Sequence, residues 1–124
     1  MPPQQHPKRF VFALLEQFSM LSFASAIEAL RIANRMSGKT LYDWILIGNG
    51  GDIARCSAGI GYKLDNDLID TTRDDVILVC GGVNVQAATT RKVLSWLRRE
   101  ARKGPLIGGL CTAGYTLAKA GLLD

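Results

Sequence analysis

Cys111 is the residue whose surroundings most favour covalent chemistry. It follows the strand-like run LIGGL, residues 106–110, and opens the helix-like run CTAGYTLAKAGLL. The unpaired amides of a first helical turn and the positive end of the helix dipole both favour the thiolate form of a cysteine. Gly109 and Gly114 complete a GxCxxG pattern, typical of a sharp strand-to-helix elbow such as the GxSxG turn of nucleophilic serines. The alternative is that Cys111 is a small apolar residue packed at a crowded turn.

A glycine pair follows a second strand-like run, VILVC, residues 76–80. Gly81 and Gly82 could present backbone amides to an oxyanion or to a ligand carboxylate, and a plain glycine turn is the alternative. Cys80 ends this run at the same predicted sheet edge as Cys111. It could form a disulfide with Cys111 on oxidation, or serve only as a buried packing residue.

Glu28 is the carboxylate best placed to reach this edge. It lies beside the apolar stripe of a predicted helix that follows the first predicted strand. A partly desolvated carboxyl there could hydrogen-bond a thiol, whereas an ordinary solvated glutamate is the alternative. His6 is the only histidine and lies in a proline-rich leader, so these residues supply no evident base for Cys111.

The elements that must position these residues alternate between strands and helices. Continuous apolar runs predict buried strands at residues 9–15, 42–49, 76–80 and 106–110. Periodic apolar stripes predict helices at 22–36, 86–103 and 111–123, and the glycine-punctuated stretch 53–64 predicts a short strand or hairpin arm. This alternation implies an α/β, flavodoxin-like parallel sheet with helices on both faces. Its ligand crevice should lie at the carboxyl ends of the strands.

The predicted helix 86–103 accounts for most of the net positive charge. Its apolar stripe comprises Val93, Leu94, Leu97 and Ala101, with Trp96 at the edge. The only acid there is Glu100, against Arg91, Lys92, Arg98, Arg99, Arg102 and Lys103. Because no aromatic residues alternate with these charges, we interpret them as a solvated face and not as a DNA contact.

Composition excludes several classes of protein. A chain of 124 residues with 48% hydrophobic and 21% charged residues is typical of one soluble globular domain. No run approaches the roughly 20 apolar residues that span a bilayer. The three cysteines have unrelated spacings, which fits neither a disulfide framework nor a metal site, so we expect a cytoplasmic protein without metal or cofactor.

We divide the chain into a flexible leader, residues 1–8, and one partial domain, residues 9–124. The sequence stops one helix after the predicted central strand 106–110. We therefore expect the domain to be truncated at its C-terminus, or a partner to cover that edge.

Three separated stretches resemble one family. They are FALLEQFSMLSFASAIEALRIANR at 12–35, DDVILVCGG at 74–82 and IGGLCTAGYTLAKAGLLD at 107–124. Together they resemble the first two thirds of a class I glutamine amidotransferase-like domain of the PfpI superfamily, in the version fused to AraC-type transcription regulators. At the place of Cys80 that family often has a proline.

The resemblance implies roles for individual residues. In the enzymes of the superfamily the elbow cysteine is the nucleophile, a glutamate of the first helix touches it, and the glycine pair forms an oxyanion site. By position these roles would fall to Cys111, Glu28 and Gly82, with Gly81 beside it. Thr112, next to the cysteine, joins them as a candidate ligand-binding residue.

The same resemblance implies a function. In the regulator branch such a domain senses a small nitrogen-containing metabolite and dimerises, while a C-terminal pair of helix-turn-helix motifs contacts DNA. The alternatives are a PfpI-type cysteine enzyme, such as a hydrolase, hydratase or glyoxalase-like protein using Cys111, and a redox sensor in which Cys111 is oxidised with Cys80 as partner.

Overall fold

The computed structural model describes residues 6–123, which form a parallel sheet covered on both faces. The strands are β1 (Lys8–Leu14), β2 (Tyr42–Ile47), β3 (Ile53–Arg55), β4 (Gly61–Lys63), β5 (Val76–Cys80) and β6 (Leu106–Leu110). The helices are α1 (Met20–Ser37), α2 (Val85–Ala88), α3 (Arg91–Ala101) and α4 (Gly114–Lys119), and Cys111–Ala113 form a 3₁₀ turn, here called the elbow turn. The main sheet has the order β2-β1-β5-β6 with every pairing parallel. This is the predicted flavodoxin-like α/β architecture.

Alternation along β1 explains why both faces are covered. Val11 and Ala13 point into one core, and Phe12 and Leu14 into the other, and all four are at most 3% exposed. The first core packs the sheet against α3 and α4. A strand that is buried on both faces reads as a continuous apolar run, which is why the sequence predicted it.

The second core lies between the sheet, α1 and the hairpin of β3 and β4. The hairpin is antiparallel and forms its own two-stranded sheet, which confirms the hairpin alternative for residues 53–64. Aromatic side chains pack edge to face here, with ring centroids 5.2 Å apart both for Phe12 with Phe23 and for Phe18 with Tyr62. Such pairs add about 0.5–1.5 kcal/mol beyond the area that they bury.

The prediction of a single helix at 86–103 is wrong, because the chain forms two helices there. α2 ends at Ala88, and Thr90 caps α3 by accepting a hydrogen bond from the Val93 amide (3.2 Å). A threonine in this capping position favours a new helix start over continuation of the previous one.

Two residues of α3 also lie deeper than predicted. Trp96, expected at the edge of the apolar stripe, is 2% exposed, and its indole N–H donates to the Ile69 carbonyl (2.7 Å). Glu100, expected among solvated charges, is fully buried. Its carboxylate accepts hydrogen bonds from the Thr71 amide and hydroxyl and from Arg99 and Lys103.

Several basic residues of α3 and of the turn that follows it therefore bind other groups of the protein. Lys92 pairs with Asp67, and Arg99 and Lys103 bind the buried Glu100. Arg98 donates to the carbonyl oxygens of Lys119 and Ala120 at the end of α4.

The helix predicted at 111–123 begins later than expected, since α4 starts only after the elbow turn. Its end matches the prediction for Gly121, which has φ +80°. The Gly121 amide donates to Ala118 and the Leu122 amide to Leu117, the pattern of a Schellman motif. Among residues 6–123, no helix is both long enough and apolar enough to cross a membrane.

Candidate functional site

Three strained residues mark the carboxyl edge of the main sheet. Gln17, Asn84 and Cys111 have φ values of 63°, 57° and 57°, and no other non-glycine residue between positions 6 and 123 has a positive φ. They follow β1, β5 and β6, which are neighbours in the sheet. Such strain costs about 1–3 kcal/mol per residue and is concentrated at functional sites. The edge that parallel-sheet topology selects for ligands is thus also the strained edge.

The glycine pair allows the three loops after these strands to approach one another. A Cβ on Gly82 would overlap the carbonyl oxygen of Gln17, and a Cβ on Gly81 would lie 2.8 Å from the Ala113 amide nitrogen. Gly81 also donates its amide to the Leu110 carbonyl (3.3 Å). The described contacts therefore give Gly81 a structural role, with its N–H directed into the sheet.

Hydrogen bonds join the same loops. Thr112 donates its hydroxyl to the Gly82 carbonyl (2.7 Å), and the Ser19 amide donates to the Gly81 carbonyl (2.9 Å). The Asn84 side-chain amide donates to Gln17 Oε1 (3.2 Å). Of the five candidate ligand-binding residues, Gly81, Gly82 and Thr112 are thus brought together beside Cys111.

Cys111 occupies the predicted elbow. It is exposed, has a left-handed backbone and opens the elbow turn directly after β6. His6 precedes β1 and so lies at the amino end of that strand. Seven residues of extended chain span about 20 Å, which places His6 at the opposite edge of the sheet from Cys111.

Glu28 has a partner other than the one expected from the resemblance. Its carboxylate pairs with Arg31 one turn along α1, and the side chains of both residues are about half exposed. Glu28 is the ninth residue of α1, about 12 Å along the axis from the helix start. Within the described part of the chain, no hydrogen bond or ion pair joins Glu28 to Cys111, and its role in ligand binding stays a prediction.

The other two cysteines are packing residues. Cys56 and Cys80 are 1% and 0% exposed. Burial raises the pKa of Cys80 to about 12, which keeps this thiol protonated at neutral pH. The buried, protonated state of Cys80 supports the packing alternative over a redox partnership with Cys111.

A crevice opens between the loops after β1 and β2 and helix α2. It comprises two adjoining cavities of about 140 and 170 Å³ that share Glu16, Ala87 and Ala88. The larger cavity adds Gln17 and Asn84, and the smaller adds Leu14, Leu15, Asn49, Gly50, Ile53, Ala54, Leu64 and Thr90. The crevice lies where the strand order reverses, between β1 and β5. This is the topological switch point, at which α/β sheets bind ligands.

The rim of the crevice is fixed by polar contacts. Asn49 donates its side-chain amide to Thr90 Oγ1 (2.7 Å), which ties the loop after β2 to the start of α3. Asp67 accepts the Gly50 amide (2.9 Å) and pairs with Lys92. The Leu68 and Gly50 amides, together with Lys92, hold the pKa of Asp67 below its usual range.

The crevice residues are not those predicted. None of Cys111, Glu28, Gly81, Gly82 and Thr112 lines either cavity. The polar residues that do line them are Glu16, Gln17, Asn49, Asn84 and Thr90. Three of them had a signal in the sequence, since Glu16 and Gln17 directly follow the predicted strand 9–15 and Asn49 ends the predicted strand 42–49, at the edge where ligands bind. Asn84 and Thr90 had none.

Comparison with known proteins gives consistent matches. The model of the DJ-1/PfpI family matches residues 8–124. The HTH-type transcriptional regulator GbdR of Pseudomonas aeruginosa is 40% identical over 124 residues, which cover 99% of this chain and 34% of that regulator. The HTH-type transcriptional regulator CdhR of the same species is 37% identical over 115 residues, covering 93% of this chain and 34% of that regulator. The chain thus spans about a third of the length of each.

A solved structure gives the same result. The crystal structure of an AraC family transcriptional regulator from Pseudomonas putida has a TM-score of 0.80 to this chain at 28% identity. The superposition covers 95% of this chain and 63% of that one. These matches confirm the resemblance that the three sequence stretches predicted.

Proposed function

This chain belongs to the DJ-1/PfpI family, and on that premise we propose that it is the ligand-sensing and dimerising domain of a cytoplasmic AraC-type transcription regulator. Its ligand is a small nitrogen-containing metabolite. DNA is contacted by a separate helix-turn-helix region, in keeping with the description of the relatives GbdR and CdhR as HTH-type transcriptional regulators.

The observation that carries this proposal is the crevice at the switch point. Its floor is apolar, with Leu14, Leu15 and Leu64, and its walls carry a few polar groups, which is the usual composition of a small-molecule site. Each cavity has about the volume of five water molecules in the liquid, taking about 30 Å³ for each water. That space suits a small metabolite.

The position of the thiol favours sensing over catalysis. Cys111 does not line the crevice, Glu28 is paired with Arg31, and His6 lies at the other end of the sheet. A base within hydrogen-bond reach is the usual means of activating a cysteine nucleophile, and none of these groups provides one.

A route from the crevice to the rest of the domain runs through α2. Ala87 and Ala88 line both cavities, and the next residue, Thr89, shares a hydrogen bond with Thr116 of α4 (2.8 Å between hydroxyl oxygens). Thr116 is fully buried. A ligand that repositions α2 therefore acts on α4, and a two-state difference of this kind could bias the orientation of the DNA-binding region.

The experiment is a thermal-shift screen of the full-length protein with amines, betaines and amino acids, followed by DNA binding with each stabilising compound. A ligand at 100 times its dissociation constant adds about 2.7 kcal/mol of stability if it binds only the folded state. We expect at least one compound both to raise Tm and to change DNA binding. Stabilisation without any effect on DNA binding would contradict a regulatory role.

The second candidate is a PfpI-type cysteine enzyme, which is favoured by the exposed, left-handed Cys111. Cys111→Ser separates the two functions. If the domain is a sensor, the variant keeps the ligand-induced change in DNA binding, because recognition depends on the shape and hydrogen bonds of the crevice. Loss of that response with unchanged folding would support covalent chemistry at Cys111 instead.

A further inference from the structure

We infer that Glu16 is the counter-ion for a positively charged nitrogen of the ligand, an assignment that rests on the proposed function and names the residue that binds this nitrogen. Glu16 follows two buried residues, Leu14 at the end of β1 and Leu15. It lines both cavities of the crevice. A ligand in either cavity therefore meets its carboxylate.

Of the residues from 6 to 123, Glu16 is the only charged one that lines the crevice. The other polar lining residues are uncharged: Gln17, Asn49, Asn84 and Thr90. Between positions 6 and 123, no cationic side chain forms an ion pair with Glu16. The negative charge in the crevice is thus left for a ligand to neutralise.

Two cations near the crevice are bound to other groups of the protein. Lys92 is paired at 3.2 Å with Asp67, which also accepts the amide of the rim residue Gly50. Arg55, whose carbonyl accepts the Gln17 amide, directs its guanidinium to the Gly59 carbonyl (3.2 Å). Both cations already have partners in the protein.

The uncharged walls complement an ammonium group. Asn49 and Asn84 use their side-chain N–H groups on Thr90 and Gln17, and within the described residues their amide oxygens accept no hydrogen bond. Free carbonyl oxygens beside a carboxylate are suited to the N–H donors of a protonated amine. None of the described lining residues is aromatic, so the carboxylate is the main source of attraction for a cation there.

The test compares three probes that share a two-carbon alcohol, using calorimetry on the full-length protein. Ethanolamine carries a primary ammonium, choline a quaternary one, and the neutral isostere of choline has a tert-butyl group in place of trimethylammonium. Because Glu16 is exposed, we expect a cation to bind about fivefold more tightly than the neutral probe at low salt, with a smaller ratio at high salt. A higher affinity for ethanolamine than for choline would identify N–H donation as part of the recognition.

Two variants locate the effect. Glu16→Gln keeps the size of the side chain and should bring the ratio of cation to neutral affinity close to one. Asp74→Asn removes the same charge from an exposed residue at the amino end of β5 and should leave the ratio unchanged. Binding of neither cation, equal affinity for cation and isostere, or a ratio that survives in Glu16→Gln would overturn the inference. The proposed function would then still stand if a neutral or anionic metabolite altered DNA binding.

Discussion

At the scale of single residues, accessibility separates Cys111 from the other two thiols. It is exposed on a strained turn, whereas Cys56 and Cys80 lie in the core behind the sheet. Its exposure and left-handed backbone support the elbow that the GxCxxG pattern predicted. Reactivity toward added reagents and catalytic use are separate properties, and only the first depends on Cys111 alone.

We predict selective modification of Cys111. Brief treatment of the folded protein with iodoacetamide at pH 8 should alkylate this residue, because burial shields Cys56 and also raises the pKa of Cys80 to about 12. Peptide mass spectrometry gives the modified fraction of each thiol, and urea-unfolded protein is the control in which all three react. Modification of Cys80 ahead of Cys111 would contradict the described burial.

The glycines at this edge are predicted to differ in their tolerance of a methyl group. Gly82→Ala should lower the free energy of unfolding by about 3 kcal/mol, because the new Cβ meets backbone atoms of the Gln17–Ser19 loop, which has little room to yield. Gly114→Ala is the matched control, since its Cβ would meet nothing within 4 Å and its φ is helical at −53°. It should raise stability by about 0.5 kcal/mol. Equal effects in urea unfolding would refute the close approach at Gly82.

At the scale of elements, α3 is anchored by a buried carboxylate that its sequence did not reveal. Glu100 is one acid among six basic residues, which suggested a solvated face. In the structure, Thr71 and the flanking Arg99 and Lys103 surround it. Burial alone would raise its pKa, but hydrogen bonds from Lys103, Arg99 and Thr71 outweigh burial and bring the pKa to about 2.

This cluster predicts a pH dependence. The pKa of Glu100 falls from its ordinary 4.5 to about 2 on folding, so its stabilising contribution is fully present above about pH 4.5 and is lost as pH falls toward 2. Glu100→Gln should lose about 2 kcal/mol at neutral pH, because it removes the charge from several hydrogen bonds. It should also flatten the dependence of unfolding free energy on pH in that window.

Glu28→Gln is the matched control for this change. It makes the same substitution in a half-exposed ion pair, where the expected loss is at most about 0.5 kcal/mol. Urea unfolding at a series of pH values measures both variants. A Glu100→Gln protein as stable as Glu28→Gln would show that the buried cluster does not stabilise α3.

The sequence predicted elements better than it predicted their contacts. Buried parallel strands such as β1 and β5 are marked by continuous apolar runs, and those positions were correct because burial on both faces leaves little other choice. The break between α2 and α3 was missed because Thr89 and Thr90 do not interrupt a helical pattern as glycine or proline would. The burial of Trp96 and Glu100 depends on Ile69 and Thr71, contacts that helical periodicity does not encode.

The candidate site was predictable only as an edge of the sheet. The elbow at Cys111 and the meeting of Gly82 with Thr112 follow from local patterns and strand order. The crevice itself is formed by the loops after β1 and β2 together with α2. Its polar residues, including Glu16 and Asn84, carry no motif, so their convergence emerges only when the chain is folded.

At the scale of the whole molecule, the sheet order explains why one edge collects every feature of interest. The chain leaves β1 toward β2 on one side and then returns to β5 and β6 on the other. The loops after β1 and β5 meet at this reversal, and the crevice opens there between the loops after β1 and β2 and helix α2. The hydrogen bond between Thr89 and Thr116 then connects the crevice wall to the helix behind Cys111.

If a metabolite binds in this crevice, blocking the crevice should prevent its binding. Ala87 is exposed and lines both cavities, so Ala87→Trp should fill the site without disturbing the core. Ala118→Trp, at an exposed position of α4, is the control. The measurement is the rise in Tm produced by the metabolite that most stabilises the wild-type full-length protein. We predict that Ala87→Trp abolishes this rise while Ala118→Trp preserves it. An undiminished rise in Ala87→Trp would place the ligand elsewhere and contradict the account.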